Sequence, residues 1–379
     1  MKKKVMIFTT SGGGGHISVT QALQGYLQDD FLVESVLIFQ DVLSSIDIIR
    51  AVTFGRLNGE DIYNNLVRKK RFGLLNIFYQ IAVRYYQSQY QKIRYALHGY
   101  LAQNKPDCVI SVTPLVNNII LDVCEDLAIP FILLPTDLDI HTFIYNISKP
   151  TYNDFYLFLP FDDLGIKKPA QKAQIPDSQI KISGFALRSD FLKEDHPQEI
   201  KKRYGIDQDI PIIMILMGAQ GSENIITMLK ELLLLEQPIH IITCVGKNID
   251  LQKKINALML PEGICLTVVT FGCNIADLMS IADILITKSG TVSVCEAIYK
   301  ELPMILDATS AVLKWEQFNH HFIQEHRFGV SLTKLSELPE QVDDFLRHNR
   351  FKRYKENLAS FANKNPAETI PELLKSIIE

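Results

Sequence analysis

The stretch VMIFTTSGGGGHISVTQAL, residues 5–23, holds a short apolar run, four consecutive glycines, a histidine and the start of an amphipathic segment. Val5, Met6, Ile7 and Phe8 suit a buried strand, and Val19, Ala22, Leu23 and Tyr26 recur at helical spacing. Glycine loses more backbone freedom on folding than any other residue, so a run of them at a strand-to-helix turn implies a need for close backbone approach. The start of the helix presents unpaired N–H groups and a positive dipole end, so an anion or polar ligand group is expected at Gly12–Gly15, with Gly14 and Gly15 as contacts. The alternative is a tight turn with no ligand. The dinucleotide fingerprint fails because Ile17 and Ser18 follow, and the P-loop fails for want of a Gly-Lys-Ser/Thr. His16 stands at the helix start, where the dipole favours the neutral imidazole, the form able to accept a proton.

Outward from this turn, strand-like runs alternate with helical ones: Val5–Thr9, Val33–Phe39, Cys108–Val112 and Phe131–Leu134. The alternation restarts at Pro211 and runs through Ile212–Met217, Ile239–Val245, Cys265–Thr270 and Ile284–Thr287. Such repetition predicts an α/β fold, two doubly wound parallel sheets facing each other across a cleft. A length of 379 residues, 47% hydrophobic, agrees with two domains. The polar region Ser189–Asp209 separates them, giving domains at 1–188 and 189–352 and a charged helical segment at 353–379. A net charge of −4 opposes a nucleic-acid partner for the chain as a whole. The six cysteines show no CxxC pairing and read as buried thiols of a reducing compartment. The apolar run after Met-Lys-Lys-Lys is too short for a signal peptide, and no stretch approaches a membrane span, so a cytoplasmic location is expected.

Between Ile62 and Lys105 there are eight Lys or Arg and no acidic residue. The cluster Arg68, Lys69, Lys70, Arg71 precedes Phe72, Phe78 and Tyr85. Basic residues attract anionic headgroups and aromatic ones suit the interface, so this segment is expected to meet an anionic membrane surface. The competing reading places the apolar residues in the domain core with the charges merely solvated.

The second half carries a sharper signal in ADILITKSGTVSVCEA, residues 282–297. Lys288, Ser289, Gly290 and Thr291 form a polar turn between strand and helix, suited to an anion. Glu296 lies one to two turns into that helix, where a carboxylate can accept from a ribose diol. The turn after Ile212–Met217, with Gly218 and Gln220, offers a second anion site.

At these residues the sequence resembles glycosyltransferases of the GT-B fold. It most resembles the family of monogalactosyldiacylglycerol synthases, processive diacylglycerol glucosyltransferases and the lipid II-forming N-acetylglucosaminyltransferase. SGGGGH (11–16) is similar to that family's N-terminal G-x-G-H loop, PTDLDIH (135–141) to its T-D-x-x-x-H segment, and ISGFALRSDF (182–191) to its hinge. TCVGKN (243–248) is similar to its C-G-[KR]-N element, and FGCNIADLMSIADILITKSG (271–290) to its donor-site pattern. In place of the usual paired glycines stand Gly290 and Thr291, and Trp315 occupies a position where a sugar-contacting Gln is usual.

The resemblance implies an inverting transfer of a hexose from a UDP-sugar to a lipid hydroxyl, diacylglycerol above all, with no cofactor or bound metal. It assigns Arg188 to the diphosphate, Glu296 to the ribose hydroxyls and the Phe271-Gly272 backbone to the uracil, with Gly246 nearby. Glu316, Gln317 and Asn319 would face the sugar. His16 and Asp137 are the two candidate bases. The Asp137-Leu138-Asp139 triplet looks like the metal motif of a different glycosyltransferase fold, which the two-domain pattern argues against. A sugar-nucleotide isomerase of the same fold, such as a UDP-GlcNAc 2-epimerase, is the alternative activity, and the 62–105 segment speaks against it.

Overall fold

The computed structural model describes residues 2–69, 71–206, 208–218, 222–347, 350–361 and 363–378. The chain divides into two compact units, one of Met1–Ser189, Leu313–Trp315 and Asn363–Glu379, the other of Asp190–Val312 and Glu316–Ala362.

The first unit runs β1 (Lys4–Thr9), α1 (Gly14–Leu27), β2 (Leu32–Leu37), α2 (Ile48–Val52), α3 (Gly59–Arg68), α4 (Phe72–Ser88) and α5 (Tyr90–Asn104). It continues with β3 (Cys108–Ser111), α6 (Asn117–Asp126), β4 (Phe131–Leu133), β5 (Phe155–Leu159), α7 (Leu164–Lys172) and β6 (Ile180–Ile182). The strands form one parallel sheet in the order β2-β1-β3-β4-β5-β6. Val5–Phe8 of β1 and Cys108–Ile110 of β3 are buried, as expected of strands covered by helices on both faces. The expected strand Val33–Phe39 stops at Leu37. Asp41 Oδ2 accepts from the Leu37 N–H at 2.8 Å, and Ile38–Val42 winds into a single wide helical turn.

The second unit runs α8 (Pro197–Arg203), β7 (Ile212–Leu216), α9 (Asn224–Leu232), β8 (Ile239–Gly246), α10 (Ile249–Asn256), β9 (Ile264–Thr270) and α11 (Ile275–Ile281). After these come β10 (Ile284–Lys288), α12 (Thr291–Tyr299), β11 (Met304–Asp307), α13 (Gln317–Glu325), β12 (Gly329–Leu332), α14 (Leu338–Arg347) and α15 (Arg350–Ser360). Its sheet is also parallel, in the order β12-β11-β10-β7-β8-β9. Read from β9, this is the strand order of dinucleotide-binding folds, which places ligands where neighbouring connections diverge to opposite faces. Residues 353–379 do not form one segment: α15 lies in the second unit, while α16 (Pro366–Ile378) lies in the first and packs on α1. Lys375 there meets Asp30 at 2.7 Å. All six cysteines are free thiols.

Candidate functional site

In the first sheet the connections diverge between β1 and β3, and His16 sits at that point. Its Nδ1 lies 2.7 Å from the carbonyl oxygen of Val112, just past β3, and 3.0 Å from the Thr136 hydroxyl. A carbonyl can only accept, so Nδ1 carries the proton and Nε2 carries the lone pair. Burial pulls the imidazole down to about 4, against the opposing pull of Val112 O and of the Glu60 charge. The neutral form is the expected one, but desolvation rather than the helix dipole is its main cause.

The glycine loop is held from a direction the sequence did not announce. Glu60, near the start of α3, is buried at 8% exposure. Its carboxylate accepts from the Thr10 hydroxyl, from Ser11 N–H at 2.7 Å and from the Gln40 amide at 2.8 Å. Asn64, one turn on, accepts from Gly13 N–H at 2.9 Å and donates to Ser11 O at 3.1 Å. Gly13 has a φ of 82°, open to glycine without strain. The Gly13 amide, within the Gly12–Gly15 stretch expected to greet an anion, and the preceding Ser11 N–H are therefore taken by α3, and a buried carboxylate lies beside them. Gly14, exposed, and Gly15, half-buried, stay at the first turn of α1.

Next to His16 opens a cavity of about 240 Å³, lined by Thr10, Gly12, Asp47, Ile48, Ile49, Glu60, Tyr63, Phe78, Tyr79, Ala82, Tyr85, Tyr86, Asp137 and Trp315 among others. Trp315 packs on Tyr79 with ring centroids 5.1 Å apart. Phe78 and Tyr85, expected at a membrane, instead wall this cavity, and the Tyr85 hydroxyl donates to Ile46 O at 2.7 Å. Phe78, Ile81, Ala82, Tyr85 and Tyr86 recur at helical spacing along the cavity side of α4, while Leu74, one turn before Phe78, and Ile77 are 52% and 59% exposed. Lys69 and Arg71 are exposed, Lys70 lies outside the described residues, and so do the side chains of Arg68 and Phe72. Sequence reasoning passed over Ile48, Val52, Phe54 and Leu57, all exposed and apolar, beside Arg50 and Arg56. Asp139 is engaged by the backbone and ring of its neighbour His141, at 3.1 and 2.7 Å.

In the second unit the connections diverge between β7 and β10, where Gly218 and the turn Lys288–Thr291 lie. A Cβ at Gly218 or at Gly290 would stand 3.4 Å from Lys288 Cε, so the lysine stem runs over both glycines. Gly218 also holds a φ of 85°. Thr287 donates to Leu216 O at 2.7 Å, fixing β10 to β7. Asn319, fully buried, donates to Ser289 O at 2.7 Å and to Thr291 Oγ1 at 3.0 Å. It shapes the turn at the start of α12. Glu316 accepts from Ser289 Oγ at 3.4 Å; burial raises its carboxyl, offset by Lys288 and Ser289. Glu296 is 4% exposed, which rules out an ordinary surface charge. Gln317 is exposed, Arg188 is half-buried in the first unit, and Gln220 lies outside the described residues. Gly246 and Gly272 have φ of 60° and 102°. The exposed Phe271 ring sits under Lys247 Nζ at 4.4 Å, and the Phe271 N–H already donates to Gly246 O at 2.9 Å. Only its carbonyl and Gly272 stay candidates for a base edge.

Residues 212–374 match the glycosyltransferase family 28 C-terminal domain. The chain is 24% identical over 379 residues to a processive diacylglycerol beta-glucosyltransferase of Bacillus pumilus, covering 100% of this chain and 95% of that protein. It is 26% identical over 358 residues to monogalactosyldiacylglycerol synthase 1, chloroplastic, of Arabidopsis thaliana, covering 90% of this chain and 63% of that one. Among solved structures, MurG of Acinetobacter baumannii superposes with a TM-score of 0.65 at 15% identity, over 99% of this chain and 100% of that one. With two parallel six-stranded sheets and a second half that matches the glycosyltransferase family 28 C-terminal domain, this chain is a glycosyltransferase of the GT-B fold.

Proposed function

We propose that this glycosyltransferase moves a hexose from a UDP-sugar to a lipid hydroxyl, with diacylglycerol as acceptor, inverting the anomeric centre at the inner face of the cell membrane. One observation carries the reading: His16 lines a largely apolar cavity with its Nδ1 tied to Val112 O, so that Nε2 is the basic nitrogen. An acceptor hydroxyl on an apolar body fits that combination. The activities named for the two curated relatives support the acceptor class.

In this scheme the acceptor oxygen attacks the anomeric carbon and passes its proton to His16 Nε2. The sugar–phosphate bond breaks and its electron pair leaves with the diphosphate. Charge growing there meets the Lys288 ammonium and the amide dipoles at the start of α12. Glu296 takes the ribose hydroxyls, and Asp137, lining the same cavity as His16, orients the acceptor or serves as the base in its place. No cofactor enters the scheme.

The test is incubation with labelled UDP-glucose, UDP-galactose and UDP-N-acetylglucosamine in the presence of diacylglycerol liposomes. Glycolipid product is expected from one donor; epimerised nucleotide, or no glycolipid from any donor, overturns the reading. His16→Ala should lower kcat by about 10²–10⁴-fold with UDP affinity nearly unchanged.

A further inference from the structure

Glu60 is a buried carboxylate that the scheme above does not use. It lines the same cavity as His16, and three donors converge on it: the Thr10 hydroxyl, Ser11 N–H and the Gln40 amide. Thr10 passes the restraint on by accepting from Gly12 N–H at 3.1 Å. The chain from Thr10 through Gly12 leads directly into the turn that bears His16.

Among the described residues, the partners of the imidazole Nδ1 are neutral, the Val112 carbonyl and the Thr136 hydroxyl. When Nε2 takes a proton, the ring becomes a cation with no carboxylate on Nδ1 to balance it. We propose that Glu60 is a positioning residue for His16, fixing the loop that carries the imidazole and stabilising the imidazolium through its buried negative charge. This rests on the reading of His16 as the base.

The proton comes from the acceptor hydroxyl, the oxygen's electron pair forms the new glycosidic bond, and the imidazolium later releases the proton to solvent. Two other carboxylates line the cavity. Asp47 is occupied by the amides of Ile49, Arg50 and Gly59, at 2.8, 3.2 and 2.8 Å. Asp137 follows β4 and is kept in the scheme above for the acceptor, its neighbour Thr136 meeting His16 Nδ1 at 3.0 Å. The Glu60 charge favours the protonated imidazole, against the burial that disfavours it.

The experiment is a double-mutant cycle on the full chain with Glu60→Gln, His16→Ala and both together. Glu60→Gln keeps the shape and an acceptor oxygen while removing the charge. Expected is a fall in kcat of about tenfold with the KM for the UDP-sugar unchanged, and no further fall when Glu60→Gln is added to His16→Ala. Full kcat in Glu60→Gln, or an equal loss in both backgrounds, overturns the proposal while leaving His16 as the base. Full kcat in His16→Ala overturns both. Should Glu60→Gln not fold, Glu60→Asp runs the same cycle, with a smaller loss that again vanishes without His16.

Discussion

His16 shows how much one residue's chemistry depends on its surroundings. Its place at a helix start was legible, and so was its neutral form, but the dominant cause is the desolvation that a folded sheet imposes. The sign is definite. A histidine at about 4 in the fold and about 6.5 when unfolded favours the native state fully above the unfolded value, and that contribution is lost as pH falls toward 4. As the base, it should keep kcat/KM nearly level from pH 8 to below pH 6, where an ordinary imidazole would already be mostly protonated. A pH–rate profile checks this, and a fall centred near 6.5 would contradict it. Glu60 left little trace in the sequence, as one carboxylate among many polar residues. Its partner Thr10 lies fifty residues away along the chain.

The helix α4 shows the same lesson at the scale of an element. Its basic, aromatic composition pointed to a membrane, and composition does not distinguish the two faces. Packing turned Phe78, Tyr85 and Tyr86 inward onto the cavity and left Leu74 and Ile77 outside. With Phe54, 94% exposed at a φ of 52°, and Val52, these form the apolar side chains best suited to enter an interface. Replacing Phe54 and Ile77 by Ser should reduce sedimentation with anionic vesicles while leaving turnover of a short-chain, detergent-dispersed acceptor intact. Lys69→Glu with Arg71→Glu should weaken vesicle binding more at low salt than at high salt, since exposed charges are screened beyond about 10 Å at 0.1 M. Binding indifferent to both pairs of substitutions would remove the membrane role of this surface.

At the scale of the molecule, two parallel sheets each place their candidate groups where the strand connections diverge, between β1 and β3 and between β7 and β10. The proposed division gives acceptor chemistry to the first and the nucleotide to the second. Lys288→Ala should therefore weaken UDP affinity by about tenfold in calorimetry, the scale of one charge-assisted contact, without altering vesicle binding. The sequence by itself determined the alternation of strands and helices, the two parallel sheets, and the turns at Gly12–Gly15 and Lys288–Thr291. These follow from periodicity and turn chemistry, which act between near neighbours. Only the tertiary structure decided that Glu60 and Asn64 occupy the glycine loop, that Asn319 braces the Ser289–Thr291 turn, and which face of α4 meets the cavity. Those outcomes join residues tens of positions apart, and burial and hydrogen-bond satisfaction select them only once the sheets have assembled.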